Sequence, residues 1–107
     1  MKDKITIIKE LKALLVKHFG ENIQDVILFG SQAIGKAVKH SDYDILIILK
    51  NDYDWKFRDK ITDIVYNMEL EYDVLFDKHL LSVNEVNNSI RAAQPIFVNA
   101  INKGIYA

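Results

Sequence analysis

Gly30-Ser31-Gln32-Ala33-Ile34-Gly35-Lys36-Ala37-Val38-Lys39-His40-Ser41-Asp42-Tyr43-Asp44 is the stretch on which the reading of this chain turns. It consists of a Gly-Ser pair, ten further residues and an Asp-x-Asp pair. Apolar runs flank it. Residues 25–29 (Asp-Val-Ile-Leu-Phe) have the composition of a short strand, and residues 44–50 (Asp-Ile-Leu-Ile-Ile-Leu-Lys) read as a strand covered on both faces. A glycine lets backbone approach a ligand closely, and the N–H groups of a following turn point at an anion. Gly30 and Ser31, with the serine hydroxyl as an added donor, therefore form a candidate phosphate cradle. The P-loop pattern is absent.

Asp42 and Asp44 lie two residues apart at a strand start, so both side chains project to one face. Carboxylates held that close repel, and one takes up a proton unless a cation intervenes. Hard oxygen ligands suit Mg²⁺, which fills the rest of its shell from water and substrate phosphate. A third strand is predicted over residues 70–76, Leu-Glu-Tyr-Asp-Val-Leu-Phe, with Asp73 in its middle. A charge inside such a run is costly unless paired or bound to metal. Asp73 is therefore the expected third carboxylate. Glu71, on the same strand face, is the alternative. Asp42, Asp44 and Asp73 together predict a two-metal phosphoryl-transfer site. One ion would hold the triphosphate and the other would activate the acceptor hydroxyl, with Asp73 as base or as ligand of that second ion. Catalysis there is mainly positioning and charge neutralisation.

Outward from this centre, residues 2–19 predict an amphipathic helix with Ile5, Ile8, Leu11, Leu15 and Phe19 on one stripe and Gly20 as its stop. Residues 31–36 suit a short helical turn. Residues 54–68 predict a second helix, capped by Asp52 or Asp54, with Phe57, Ile61, Ile64, Val65 and Met68 on its apolar face. Ser82 and Glu85 have the spacing of a capping box for a helix over 83–92. Pro95 opens a last helix that ends before Gly104. Trp55, Phe57 and Tyr66 sit at helical spacing and read as core or interface. His18, His40 and His79 receive no metal role. The segment Ile90 to Tyr106 is apolar enough for core cover or for a partner surface. The fold class is α/β (α+β), a small mixed sheet packed with helices.

The chain has 107 residues, expected to form a single domain over 1–107 that buries roughly two-thirds of its unfolded surface. Its formal net charge of −1 lacks the basic footprint of a nucleic-acid-binding protein, so no direct nucleic-acid binding is expected. The absence of cysteine excludes a disulfide framework and cysteine-ligated zinc. No signal-peptide pattern or membrane-length apolar run occurs, which sets a cytoplasmic location as the expectation.

The Gly-Ser, ten-residue, Asp-x-Asp pattern resembles the signature of the DNA polymerase β-type nucleotidyltransferases, and specifically of the minimal nucleotidyltransferases (MNT) found in HEPN–MNT toxin–antitoxin pairs. The resemblance covers nearly the whole chain. It implies a minimal polymerase-β-like fold, ATP as nucleotide donor and two-ion Mg²⁺ chemistry at Asp42, Asp44 and Asp73. It also implies a HEPN ribonuclease toxin as partner, silenced by AMP placed on one of its tyrosines. Many members carry arginines where Gln32 and Ile34 stand here, so positive charge toward the triphosphate falls to Lys36 and the metals. Two alternatives remain open. One is a small-molecule enzyme related to the antibiotic nucleotidyltransferases, and the other is a non-catalytic antitoxin acting by occlusion. In a chain with no separate acceptor domain, the partner or a second subunit of a homo- or hetero-oligomer is expected to complete the acceptor site.

Overall fold

The computed structural model describes residues 3–33 and 42–107, the side chain of Ser31 excepted. The elements run α1 (Lys4–Phe19), β1 (Ile23–Phe29), β2 (Tyr43–Leu49), α2 (Trp55–Tyr72), β3 (Phe76–Ser82), α3 (Val83–Asn88), α4 (Pro95–Lys103) and β4 (Ile105–Tyr106). Short 3₁₀ turns occupy Gly20–Asn22 and Gly30–Gln32. The strands form one mixed sheet in the order β3-β2-β1-β4. β1 is antiparallel to both β2 and β4, and β2 is parallel to β3. A parallel pair needs a crossover, and α2 supplies it. The two-residue β4 was not expected from the sequence. It is held by pairing with Ile27 and Leu28 and by the Ala107 N–H donating to the Val26 carbonyl.

Local chemistry sets most boundaries. The Asp3 carboxylate accepts the Thr6 N–H and opens α1, and Gly20 closes it at φ +62°. Of the two cap candidates for α2, Asp54 takes the role, accepting the Phe57 N–H, while Asp52 accepts the Ser82 hydroxyl. The capping box at Ser82 and Glu85 is formed, although α3 is only six residues long. Pro95 and Gly104 bound α4 as expected.

The expected strand over 70–76 is corrected by the structure. α2 continues through Leu70, Glu71 and Tyr72, and β3 begins at Phe76. The apolar stripe of Ile61, Ile64, Val65 and Met68 keeps helical register as far as Tyr72, which packs on the same core and donates its hydroxyl to Glu10 of α1. That tertiary stripe outweighs the strand propensity of Leu-Glu-Tyr-Asp-Val-Leu-Phe. Asp73 is the left-handed cap of the helix (φ 54°, ψ 48°), a conformation aspartate tolerates better than most residues.

Two apolar layers sandwich the sheet. On one face Ile7, Leu11 and Leu15 of α1 and Ile61 and Met68 of α2 pack on Leu28, Ile45, Ile47 and Leu80. On the other, Phe97 and Ala100 of α4 pack with Ala92 on Ile27, Phe29, Leu46, Ile48 and Leu81. β2 feeds both layers by alternation, which explains its unbroken apolar run. In the final segment Phe97 and Ala100 are buried as core cover, while Ile90, Ile96 and Val98 face solvent. Phe57 packs against Phe19, whereas Trp55 and Tyr66 are exposed. Among the described residues no helix is long and apolar enough to cross a membrane.

Candidate functional site

β1 ends where β2 and β3 begin, and the site lies at that end of the sheet. Asp44 is the register partner of Phe29 on one side and of Asp77 on the other. The Tyr43 N–H donates to the Leu75 carbonyl at 2.8 Å, and the Tyr43 and Phe76 rings meet edge to face, which fixes the start of β2 against β3. Side chains of Asp44 and Asp77 share the sheet face that carries Leu46, Ile48 and Leu81 further along. On β3 that face runs from buried Leu81 through half-buried His79 to exposed Asp77, so the carboxylates stand where the apolar cover gives out.

His79 is wedged between Phe29 and Phe97, with ring centroids 5.8 and 5.5 Å away. Its Nε2 is shielded from solvent with no hydrogen-bond partner among the described residues, 3.6 Å from Asp77 Oδ2. One ligand-capable atom from each of Asp44, Asp77 and His79 falls within 4.8 Å of the others.

Gly30 completes this geometry. Its φ of +72° is in the left-handed region, and a Cβ there would overlap the Asp44 carboxylate. Only glycine meets both demands, so the turn after β1 sits directly against the first carboxylate. The turn is also tied to α1, because Lys4 Nζ donates to the Gln32 carbonyl.

Burial raises the Asp44 pKa above its ordinary value, and the charge and hydrogen bond of Asp77 push it further the same way. His79 opposes the shift, and the charge of Asp42 adds to it. An acid whose ionisation is opposed by burial and by a neighbouring carboxylate is an arrangement a divalent cation relieves.

Of the residues singled out from sequence, Gly30 and Asp44 are brought together. Exposed Asp42 lies outside the Asp44–Asp77–His79 cluster, although its charge reaches Asp44. The main chain of Ser31 forms part of the turn after Gly30. Lys36, with Ile34 and His40, lies outside the described residues. Asp73 is exposed at the end of α2 and is not brought into the cluster; neither is Glu71, which is helical. Asp77 stands beside Asp44 where Asp73 was expected, and His79 adjoins it. The usable signal was Ser82: a strand of ordinary length ending at that helix cap begins near Phe76 and puts Asp77 and His79 on one face.

The sequence pattern of the polymerase beta nucleotidyltransferase family matches residues 9–105. The chain belongs to that family. This nucleotidyltransferase is 39% identical over 71 residues to a Methanocaldococcus jannaschii protein, covering 66% of this chain and 72% of the relative. A second relative from that organism is 33% identical over 78 residues, covering 66% of this chain and 53% of its own length. A third is 32% identical over 83 residues, covering 78% of each. All three are named protein adenylyltransferases, as an assignment and not a demonstrated activity. The fold is shared with a chain in the crystal structure of a mutant MntA–HpeT toxin–antitoxin, at a TM-score of 0.59 and 18% identity, covering 92% of this chain and 69% of that one. It is also shared with a chain in a toxin–antitoxin structure with AMP-PNP, at 0.57 and 19%, covering 92% and 70%. At those identities the likeness is one of fold.

Proposed function

We propose that this nucleotidyltransferase transfers AMP from ATP to a hydroxyl of a partner protein, with Asp42, Asp44 and Asp77 as its acidic centre. The observation that carries the reading is the pairing of Asp44 with Asp77 on adjacent strands, directly beside a glycine that a side chain could not replace.

The residues fit Mg²⁺. Asp44 and Asp77 offer hard oxygen donors at one point, and their mutual repulsion favours a cation between them. When bound, Mg²⁺ supplies neutralisation of the triphosphate charge. The chain's own part is positional. Gly30 and the main chain of Ser31 admit the phosphates close to Asp44. Asp42 adds negative charge at the same edge, and a second ion is compatible with it. Asp77, on the outer strand, is placed to take the proton of the attacking hydroxyl. The new bond joins that oxygen to the α-phosphorus. The bond from the α-phosphorus to the bridging oxygen breaks, and pyrophosphate leaves.

A HEPN-type ribonuclease toxin is the proposed partner, with a tyrosine as acceptor and antitoxin action as the result. The names of the relatives support protein as acceptor, and the toxin–antitoxin neighbours support the setting. The sequence signature read from Gly30 to Asp44 supports both. Incubation with labelled ATP, Mg²⁺ and the product of the adjacent gene tests the proposal. Label should appear on that product and vanish with Asp44→Asn. Absence of transfer with every nucleoside triphosphate and divalent metal would overturn it.

A further inference from the structure

A cleft of about 240 Å³ opens on the outer edge of β3, lined by Arg58, Lys78, His79, Leu80 and Arg91. Every ionisable group in that lining is basic, in a chain whose formal net charge is −1. Arg91 is partly committed: its guanidinium donates to the Leu80 carbonyl at 2.8 Å, lies 3.5 Å from Glu85 Oε2 and stacks over Phe97. Arg58 sits over the Tyr53 ring, and neither it nor Lys78 has a carboxylate partner among the described residues.

The backbone adds to this. β3 is an edge strand. On its open side the Phe76 N–H donates to Glu69, the Leu80 carbonyl accepts from Tyr53 and Arg91, and the Ser82 N–H donates to Glu85. Alternation therefore turns the Lys78 main chain to the same side, where its N–H and carbonyl have no partner among the described residues.

His79 lines this cleft and also belongs to the acidic cluster, so the two spaces adjoin. The strand order then gives a direction. Gly30, which follows β1, lies on one side of the Asp44–Asp77 pair, and the cleft, outside β3, lies on the other. An in-line displacement brings the acceptor in opposite the leaving pyrophosphate. With phosphates on the Gly30 side, the acceptor enters past β3.

We propose that this cleft binds acidic residues flanking the acceptor hydroxyl, so that the enzyme selects a hydroxyl in an acidic peptide segment. The inference rests on the proposed AMP transfer for its direction, although binding at the cleft is measurable without it. A basic lining is a poor match for a polycationic acceptor. Lys78 also guards an open strand edge against pairing with other chains. That role alone predicts no ligand.

The test is a titration of the ¹⁵N-labelled full chain, free of nucleotide and metal, with two capped seven-residue peptides. Each has a central tyrosine, flanked by glutamates in one and by lysines in the other. The glutamate peptide should move the Lys78, Leu80 and Arg91 amides and bind on the order of tenfold tighter than the lysine peptide, weakening with salt. Arg58→Glu with Lys78→Glu should reverse the preference. Equal affinities, shifts confined to other surfaces, or tighter binding of a short single-stranded oligonucleotide at these amides would each overturn the proposal. The two-peptide comparison on the unsubstituted protein decides the matter even where the double variant does not fold. AMP transfer to the adjacent gene's product, measured separately, shows whether the parent reading stands.

Discussion

Asp44 and Asp77 are register partners on adjacent parallel strands, and a Cβ on Gly30 would overlap the first of them. A carboxylate on β2, its neighbour on β3 and the turn after β1 are thus bound into one geometry. Consequences for stability and for activity can be separated from it.

The Asp44 pKa is raised by burial and by Asp77, so the folded state holds the Asp44 proton more tightly than the unfolded state does. Linkage then removes stability as pH climbs from the ordinary value of 3.8 through the raised folded value, and leaves the protein less stable above that window. Below 3.8 both states carry the proton and the difference vanishes. In EDTA, Asp44→Asn should match the parent in acid and melt higher than it near neutrality. Adding Mg²⁺ or Mn²⁺ near neutrality should raise the melting temperature of the parent and leave the variant nearly unmoved. Calorimetric melts across pH, with and without metal, check both.

Gly30→Ala and Gly20→Ala make a matched pair. Both glycines have positive φ, at 72° and 62°, but a side chain at Gly20 meets open space. Each substitution should cost about 1–2 kcal/mol of stability from backbone strain. Only Gly30→Ala displaces the Asp44 carboxylate, and it should lose on the order of 100-fold or more in AMP transfer. Equal activity of the two variants would remove Gly30 from the site.

Asp77→Asn and Asp73→Asn separate the two readings of the third carboxylate. Asp77→Asn should reduce transfer on the order of 10²–10³-fold, whereas Asp73→Asn should stay within a few-fold of the parent. Asp73→Gly relieves the left-handed cap and should stabilise the protein by about 0.5–1 kcal/mol. Steady-state transfer rates and urea melts measure these outcomes. The reverse ranking in activity would return the role to Asp73.

Ser82 is fully buried, accepts the Glu85 N–H and donates its hydroxyl to Asp52 at 2.8 Å. Ser82→Ala should cost about 1–2 kcal/mol through the lost cap and the lost hydrogen bond to Asp52. Because β3 ends at Ser82 and the site lies at its other end, transfer well below the melting temperature should be unchanged.

The sequence by itself marked out the first half of the candidate site. Gly30 and the Asp42–Asp44 pair form a contiguous signature whose strand–turn–strand setting follows from the apolar runs on either side. It also determined most element ends, because Asp54, Ser82, Pro95, Gly20 and Gly104 act through caps that are local in the chain. Which acid stands beside Asp44 was decided only by tertiary structure. Residues 70–76 satisfy a strand pattern locally, but Met68 and Tyr72 continue a stripe that gains its stabilisation from packing on α1 and the sheet. That extension moves the strand start to Phe76 and puts Asp77 beside Asp44 in place of Asp73. Partnership across two strands depends on how the crossover helix packs, and such burial is shared between distant residues, so no short window of sequence contains it.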